Sequence, residues 1–162
     1  MVDFSSQDEL ARWSAVDDVV MGGVSSSHML ATADGTALFS GTVSLESGGG
    51  FASACSTSAP RDLVGATELV LRARGDGQRY QLRLRTTDAR DGVSYLAPLE
   101  LEAGGWHDLT LPPAAFSPSW RGRTVAGARA LALEDVRSFG FLIADRQAGE
   151  FALEVAWIAK RS

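Results

Sequence analysis

The chain has 162 residues, 45% hydrophobic and 22% charged, with a formal net charge of −5. That length suits one domain, residues 1–162, able to bury about 70% of its unfolded-chain surface without staples, and no apolar run reaches the ~18 residues that a membrane-spanning helix needs. The acidic balance argues against broad electrostatic binding to nucleic acid, and Cys55, the single cysteine, excludes an internal disulfide and suits a reducing compartment.

The opening MVDFSSQDEL has neither a secretory apolar region nor an Arg-rich transit helix, so cytoplasmic residence is expected. Basic charge is carried by arginine with Lys160 as the only lysine, a bias that suggests a GC-rich, bacterial genome. Ser6 to Glu9 has the S-x-x-E form of a capping box and predicts a helical turn through Leu10. The stretch Trp13 to Ser27, WSAVDDVVMGGVSSS, sustains neither helical nor alternating periodicity and reads as a loop, with Gly22 and Gly23 supplying backbone angles that a Cβ would forbid.

Ser26 to Thr32 and Ala37 to Leu45 flank Asp34-Gly35, a two-residue hairpin signal that sets Leu30 opposite Phe39 and Thr32 opposite Ala37. Phe39, Gly41, Val43 and Leu45 then share one face. Gly48, Gly49 and Gly50 make a turn, and Phe51 to Thr57 forms a small-residue strand in which Cys55 is expected to be buried. Leu69 to Arg74 and Arg79 to Arg85 form the clearest predicted hairpin, turning at Asp76-Gly77 and pairing Leu69 with Leu84, Leu71 with Leu82 and Ala73 with Tyr80. That register gathers Arg72, Arg74, Arg79, Arg83 and Arg85 on one basic sheet face.

A further hairpin is predicted between Tyr95 to Leu101 and Trp106 to Leu111 through a loop at Ala103 to Gly105, with Glu100 and Asp108 facing outward. Pro112 to Val125 is too rich in proline for a strand interior, and Ala126 to Val136 reads as a short turn. Phe139, Phe141 and Ile143 alternate on one strand, and Phe151, Leu153, Val155 and Trp157 alternate on the last. Short strands in succession with almost no helix predict an all-β, antiparallel β-sandwich.

Recognisable catalytic motifs are largely absent from the sequence. His28 and His107 stand on separate hairpins, on the inward side of their strands, and read as packed or rim residues. There is no G-x-S-x-G elbow, H-E-x-x-H, cysteine pair or phosphate loop, so neither a metal centre nor a cofactor site is expected. Asp17 and Asp18 are weighed as calcium ligands against their ordinary use in closing turns, and the turn role is preferred. Trp13, Trp106 and Trp157 read as core or rim. Trp120 lies in a proline-bracketed loop beside Arg121 and Arg123, where it could be a stacking platform for a sugar, a nucleotide or a peptide, or could fold back over the end of a sandwich.

Trp13, Asp18, Met21, Gly22, Gly23 and Ser25 form a W-x-x-x-x-D-x-x-M-G-G-x-S segment, and GGGFAS at 48–53, GDGQRY at 75–80 and RGR at 121–123 follow in order. In this ordered set the chain resembles the complex I intermediate-associated protein family over nearly its whole length. The resemblance implies a jelly roll of the galactose-binding-like type and a non-catalytic assembly or protein-interaction role, with the client unspecified. A carbohydrate-binding module is the alternative that the fold suggests, with a small sugar as ligand, and an enzyme is the least supported of the three classes. The candidate contacts are Trp120, Arg121, Arg123, Arg72, Arg74, Arg83 and Arg85, and the expected partner is a protein with an acidic patch.

Overall fold

Apolar residues at alternate positions recur along most of the chain, and they sort into thirteen strands among the residues that the computed structural model describes, 1–17, 25–46, 50–87, 92–121 and 123–162. The strands are β1 (Val2–Asp3), β2 (Trp13–Asp17), β3 (Ser26–Ala31), β4 (Ala37–Val43), β5 (Ala52–Ser56), β6 (Glu68–Arg74) and β7 (Tyr80–Thr86). They continue with β8 (Ser94–Leu99), β9 (Trp106–Leu111), β10 (Ser117–Trp120), β11 (Arg123–Thr124), β12 (Val136–Ile143) and β13 (Gly149–Arg161). Sheet A runs β3-β4-β13-β6-β9 with β1 also on β13, and sheet B runs β11-β10-β8-β7-β12-β5-β2.

The two antiparallel sheets form a β-sandwich of the jelly-roll type. Leu69, Leu71 and Ala73 of β6, with Phe39, Phe151, Leu153 and Val155, supply the inner face of sheet A. Tyr80, Leu82 and Leu84 of β7, with Phe139, Phe141 and Ile143, supply that of sheet B. Tyr80 and Phe151 meet across the two sheets with ring centroids 6.4 Å apart. No helix among the described residues is long and apolar enough to cross a membrane. Half of the predicted capping box is present: helix α1 (Gln7–Leu10) has Ser6 at its N-cap, where the Ser6 hydroxyl accepts from the Glu9 amide, whereas the Ser6 amide donates to the Asp3 carbonyl and not to Glu9.

Two predicted hairpins are instead crossings between the sheets. β6 pairs with β13 and β9, whereas β7 pairs with β12 and β8, and β8 and β9 likewise lie in different sheets. Alternation fixes which side of a strand is apolar but is the same whether two strands lie side by side or face each other across the core. Both crossings run together at one end, where Gly104 donates to the Gly75 carbonyl at 3.3 Å. Asp76 pins that end, accepting from the Tyr80 hydroxyl at 2.9 Å and from the Ala152 amide at 2.8 Å.

Smaller corrections have local causes. The hairpin at Asp34-Gly35 exists, but Leu30 pairs with Leu38 and Ala31 with Ala37. Ala33, Asp34 and Gly35 make a three-residue loop with Gly35 at φ 77°, which shifts the register by one and leaves His28 exposed on the outward side. Trp13–Asp17 is an edge strand rather than part of a loop, held to β5 by backbone pairing. Within 112–125, β10 tolerates Pro118 because it lies near the sheet edge. On β13 the pairing skips Ala156, and this bulge puts Ile158 in the core and leaves Trp157 half-buried.

Candidate functional site

Because β6 and β7 belong to different sheets, the expected cluster of five arginines on one face does not form. Arg72 and Arg74 stand on the outer face of sheet A, and Arg83 and Arg85 stand on the outer face of sheet B. Arg79 precedes β7, not opposite Arg74, and lies 4.0 Å from Asp145.

On sheet A the cations are matched. Arg72 pairs with Asp108 at 2.8 Å, Arg74 with Glu154, and Arg161 with Glu68 at 2.6 Å. The indole of Trp106 lies against both guanidinium groups, 5.3 Å from Arg72 and 5.1 Å from Arg74. Thr36 donates to Glu154 at 2.6 Å. Burial works against ionisation of Glu154, but the Thr36 hydroxyl and Arg74 outweigh it and hold the carboxyl below its ordinary range. The acids offsetting this pair of arginines are thus Asp108 and Glu154 rather than Glu100.

On sheet B, Arg83 and Arg85 are unmatched among the described residues. Register sets Leu96, Arg83, Gly140, Cys55 and Ser14 in one row across five strands, and Pro98, Gln81, Leu142, Ser53 and Val16 in the next. These rows contain no carboxylate and no aromatic ring. Gly140 carries no side chain beneath Arg83, and a Cβ built there would stand 3.6 Å from the Arg83 Nε and 3.2 Å from the Ala54 carbonyl oxygen. Burial lowers the Arg83 pKa from its ordinary value, and the like charge of Arg85 acts in the same direction. Neither arginine has an ion pair or side-chain hydrogen bond with another described residue. Beside Arg85 a cavity of about 320 Å³ is lined by Ser56, Ser58, Thr86, Arg137 and Ser138. Cys55 is half-buried on this outer side rather than enclosed in the core.

Trp120, Arg121 and Arg123 do come together, at the β10–β11 edge of sheet B. Trp120 is 42% exposed, pairs with Arg123 in register and carries the Arg121 guanidinium 4.8 Å from its ring centroid. Strand alternation puts it on the side of Pro118, away from Ser117 and Ser119, which share the side of Leu96.

Of the loop segment read from the sequence, Trp13 and Ser25 have structural roles. Trp13 stacks on Phe141 at 5.4 Å and donates from Nε1 to Glu9 at 3.1 Å. Ser25 is buried, and its Oγ accepts from the Ser44 amide at 2.9 Å. Asp17 ends β2, paired with Ala52. Asp18, Met21, Gly22 and Gly23 lie outside the described residues, as do Gly48, Gly49 and Gly122. His107 lines a cavity of about 660 Å³ at the crossing end with Arg79, Glu100, Glu102 and Asp145. Tyr80 also lines it, and burial and its bond to Asp76 push the phenol pKa well above its ordinary value.

Sequence reasoning missed Gly140 as the seat of Arg83, although an isolated glycine inside the F-G-F strand pattern is itself a signal of close approach. It also missed Arg137, whose place beside Arg85 depends on the irregular pairing between Val136 and Ser138.

The family model for complex I intermediate-associated protein 30 matches residues 2–155. The chain belongs to the complex I intermediate-associated protein 30 family. A relative in Caenorhabditis elegans, named probable complex I intermediate-associated protein 30, mitochondrial, is 32% identical over 96 residues, which are 57% of this chain and 28% of that protein. The chain therefore aligns with less than a third of that relative's length. Among solved structures, the family 11 carbohydrate-binding module of a cellulosomal cellulase of Clostridium thermocellum superposes with a TM-score of 0.61 at 15% identity, covering 91% of this chain and 86% of that one. The same kind of module in complex with a β-1,3-1,4-mixed-linked tetrasaccharide gives 0.60 at 16% identity over 91% and 87%. These likenesses establish the shared jelly roll of this family member.

Proposed function

We propose that this domain is a non-catalytic interaction module that engages an acidic protein client through the outer face of sheet B, in the manner of an assembly factor. The observation that carries this is the contrast between the sheets: Arg72 and Arg74 are neutralised by Asp108 and Glu154, whereas Arg83 faces outward between Leu96 and Gly140, and Arg85 beside Ser138, with no carboxylate among these register partners. A desolvated cation without a counter-charge is costly, and an acidic client would supply one. The name borne by the relatives supports an assembly role, with complex I as the first client to test. Half-buried Cys55, a free thiol, suits a reducing compartment such as the cytoplasm.

Sugar binding is the competing reading, supported by the carbohydrate-binding modules that share the fold. Against it, Trp106 is flanked by Arg72 and Arg74, and Arg121 lies over the exposed Trp120, so these indoles are engaged by guanidinium groups. Trp120, Arg121 and Arg123 form a second contact at the sheet edge. Affinity capture from the native cell with wild type and an Arg83→Glu/Arg85→Glu variant tests the reading. Capture of an acidic protein that the folded variant loses is expected; equal capture by both, or binding only on a glycan array, overturns it.

A further inference from the structure

Arg83 and Arg85 are two residues apart on β7, so their side chains leave the same side of the sheet with bases roughly 7 Å apart along the strand. An extended chain laid along β7 presents its own alternate side chains at the same repeat. The two arginines also have distinct surroundings. Arg83 lies over Gly140 beside half-buried Leu96, a partly desolvated position in which a carboxylate would find a planar fork of donors and little competing water. Arg85 opens onto the hollow shared with Arg137 and the hydroxyl residues Ser58 and Thr86, where a second carboxylate would meet two cations.

We propose that the client segment recognised by this face is an extended acidic peptide with carboxylates at alternate positions, one seated on Arg83 over Gly140 and the other in the hollow between Arg85 and Arg137. This rests on the reading of sheet B as the client-binding face and narrows it to one ligand geometry. Spacing carries the specificity: adjacent acids point to opposite sides of an extended chain, and acids three apart do the same. Two charge-assisted contacts, at half-buried Arg83 and at exposed Arg85, add affinity, and this local attraction, which salt screens, acts against the net charge of −5.

The test uses the full chain and synthetic peptides of equal length and net charge, rich in threonine, with two glutamates adjacent, alternate or three apart, and a glutamine control. Binding is measured by fluorescence anisotropy at low and at about 0.5 M salt, where the Debye length falls to roughly 4 Å. The alternate peptide is expected to bind at least about fivefold tighter than the other spacings, to lose at least about tenfold with Arg83→Gln or Arg85→Gln, and to weaken with salt. Gly140→Val, checked by its melting curve, is expected to weaken the alternate peptide by crowding the Arg83 seat. Equal affinity for all spacings, or binding unaffected by the arginine substitutions, overturns the inference. If client capture still depends on Arg83 and Arg85 in that event, the face binds its client by net charge alone and the broader reading survives. Displacement of the peptide by a mixed-linkage glucan oligosaccharide would count against both.

Discussion

Glu9 and Arg61, 52 positions apart, form an ion pair at 3.0 Å with both side chains largely buried. Glu9 also accepts from the Trp13 indole, and the Arg61 guanidinium lies 5.5 Å from the centroid of the Phe139 ring. One carboxylate thus links the N-terminal helical turn, the first residue of the family segment and the chain that closes one end of the sandwich.

Breaking that pair leaves an uncompensated buried charge. Glu9→Gln retains an acceptor for Trp13 but strands Arg61, whose Nε and Nη2 already lack partners among the described residues. A loss of about 3 kcal/mol is expected from urea denaturation, with the Glu9→Leu/Arg61→Leu double variant recovering much of it. A double variant no more stable than Glu9→Gln would show that the pair contributes more than mutual neutralisation.

On most strands the apolar side was legible in the sequence, β3 and the end of β13 excepted, where the register moved by one residue; which sheet each strand joins was not. The inward set Tyr80, Leu82 and Leu84 and the outward set Arg83 and Arg85 follow from alternation alone. Placing Arg72 and Arg74 with them required β6 and β7 to be neighbours, a long-range choice made by β13, which inserts between β4 and β6. The single-residue shift at Ala156 was equally invisible, because a bulge is set by how two strands fit and not by the composition of one. Hence the sequence exposed the cations of the candidate site but not the separation that, among the described residues, leaves two of them paired and two unpaired.

Gly41 marks a close approach that only glycine allows. A Cβ there would stand 2.0 Å from the Ser26 carbonyl oxygen and 2.7 Å from the Ser27 Cα. Gly41→Ala should therefore force β3 away from β4 and destabilise the domain by about 1–3 kcal/mol. An unchanged denaturation midpoint would mean that the edge strand shifts at no cost.

Glu154 predicts a pH dependence. Its folded pKa lies below the ordinary 4.5, so the unfolded chain binds the proton more readily, and the stabilisation is complete above that value and lost as pH falls through the folded one. Wild type should lose stability progressively on acidification below about pH 4.5. Glu154→Gln should be less stable at neutral pH and show a shallower acid limb. Parallel curves for the two proteins would show that Arg74 and Thr36 do not favour the carboxylate.

The contrast between the sheets makes a final, opposed pair of predictions. Arg83 is partly desolvated and unpaired with any other described residue, so replacing it by methionine removes a penalised charge while retaining much of the apolar stem. Arg83→Met should keep or raise stability by about 1 kcal/mol, roughly 2–4 °C in Tm for a chain of this size. Arg74→Met removes a partner of Glu154, which is only 9% exposed, and the contact with Trp106, so it should lower stability by about 1–2 kcal/mol. Stabilisation at a residue whose loss abolishes peptide binding is the expected mark of a contact kept for function rather than for the fold. Thermal melts of both variants at one protein concentration decide the matter. If Arg83→Met destabilises the domain as much as Arg74→Met, then Arg83 is holding the sheet together and the case for an outward-facing carboxylate receptor fails.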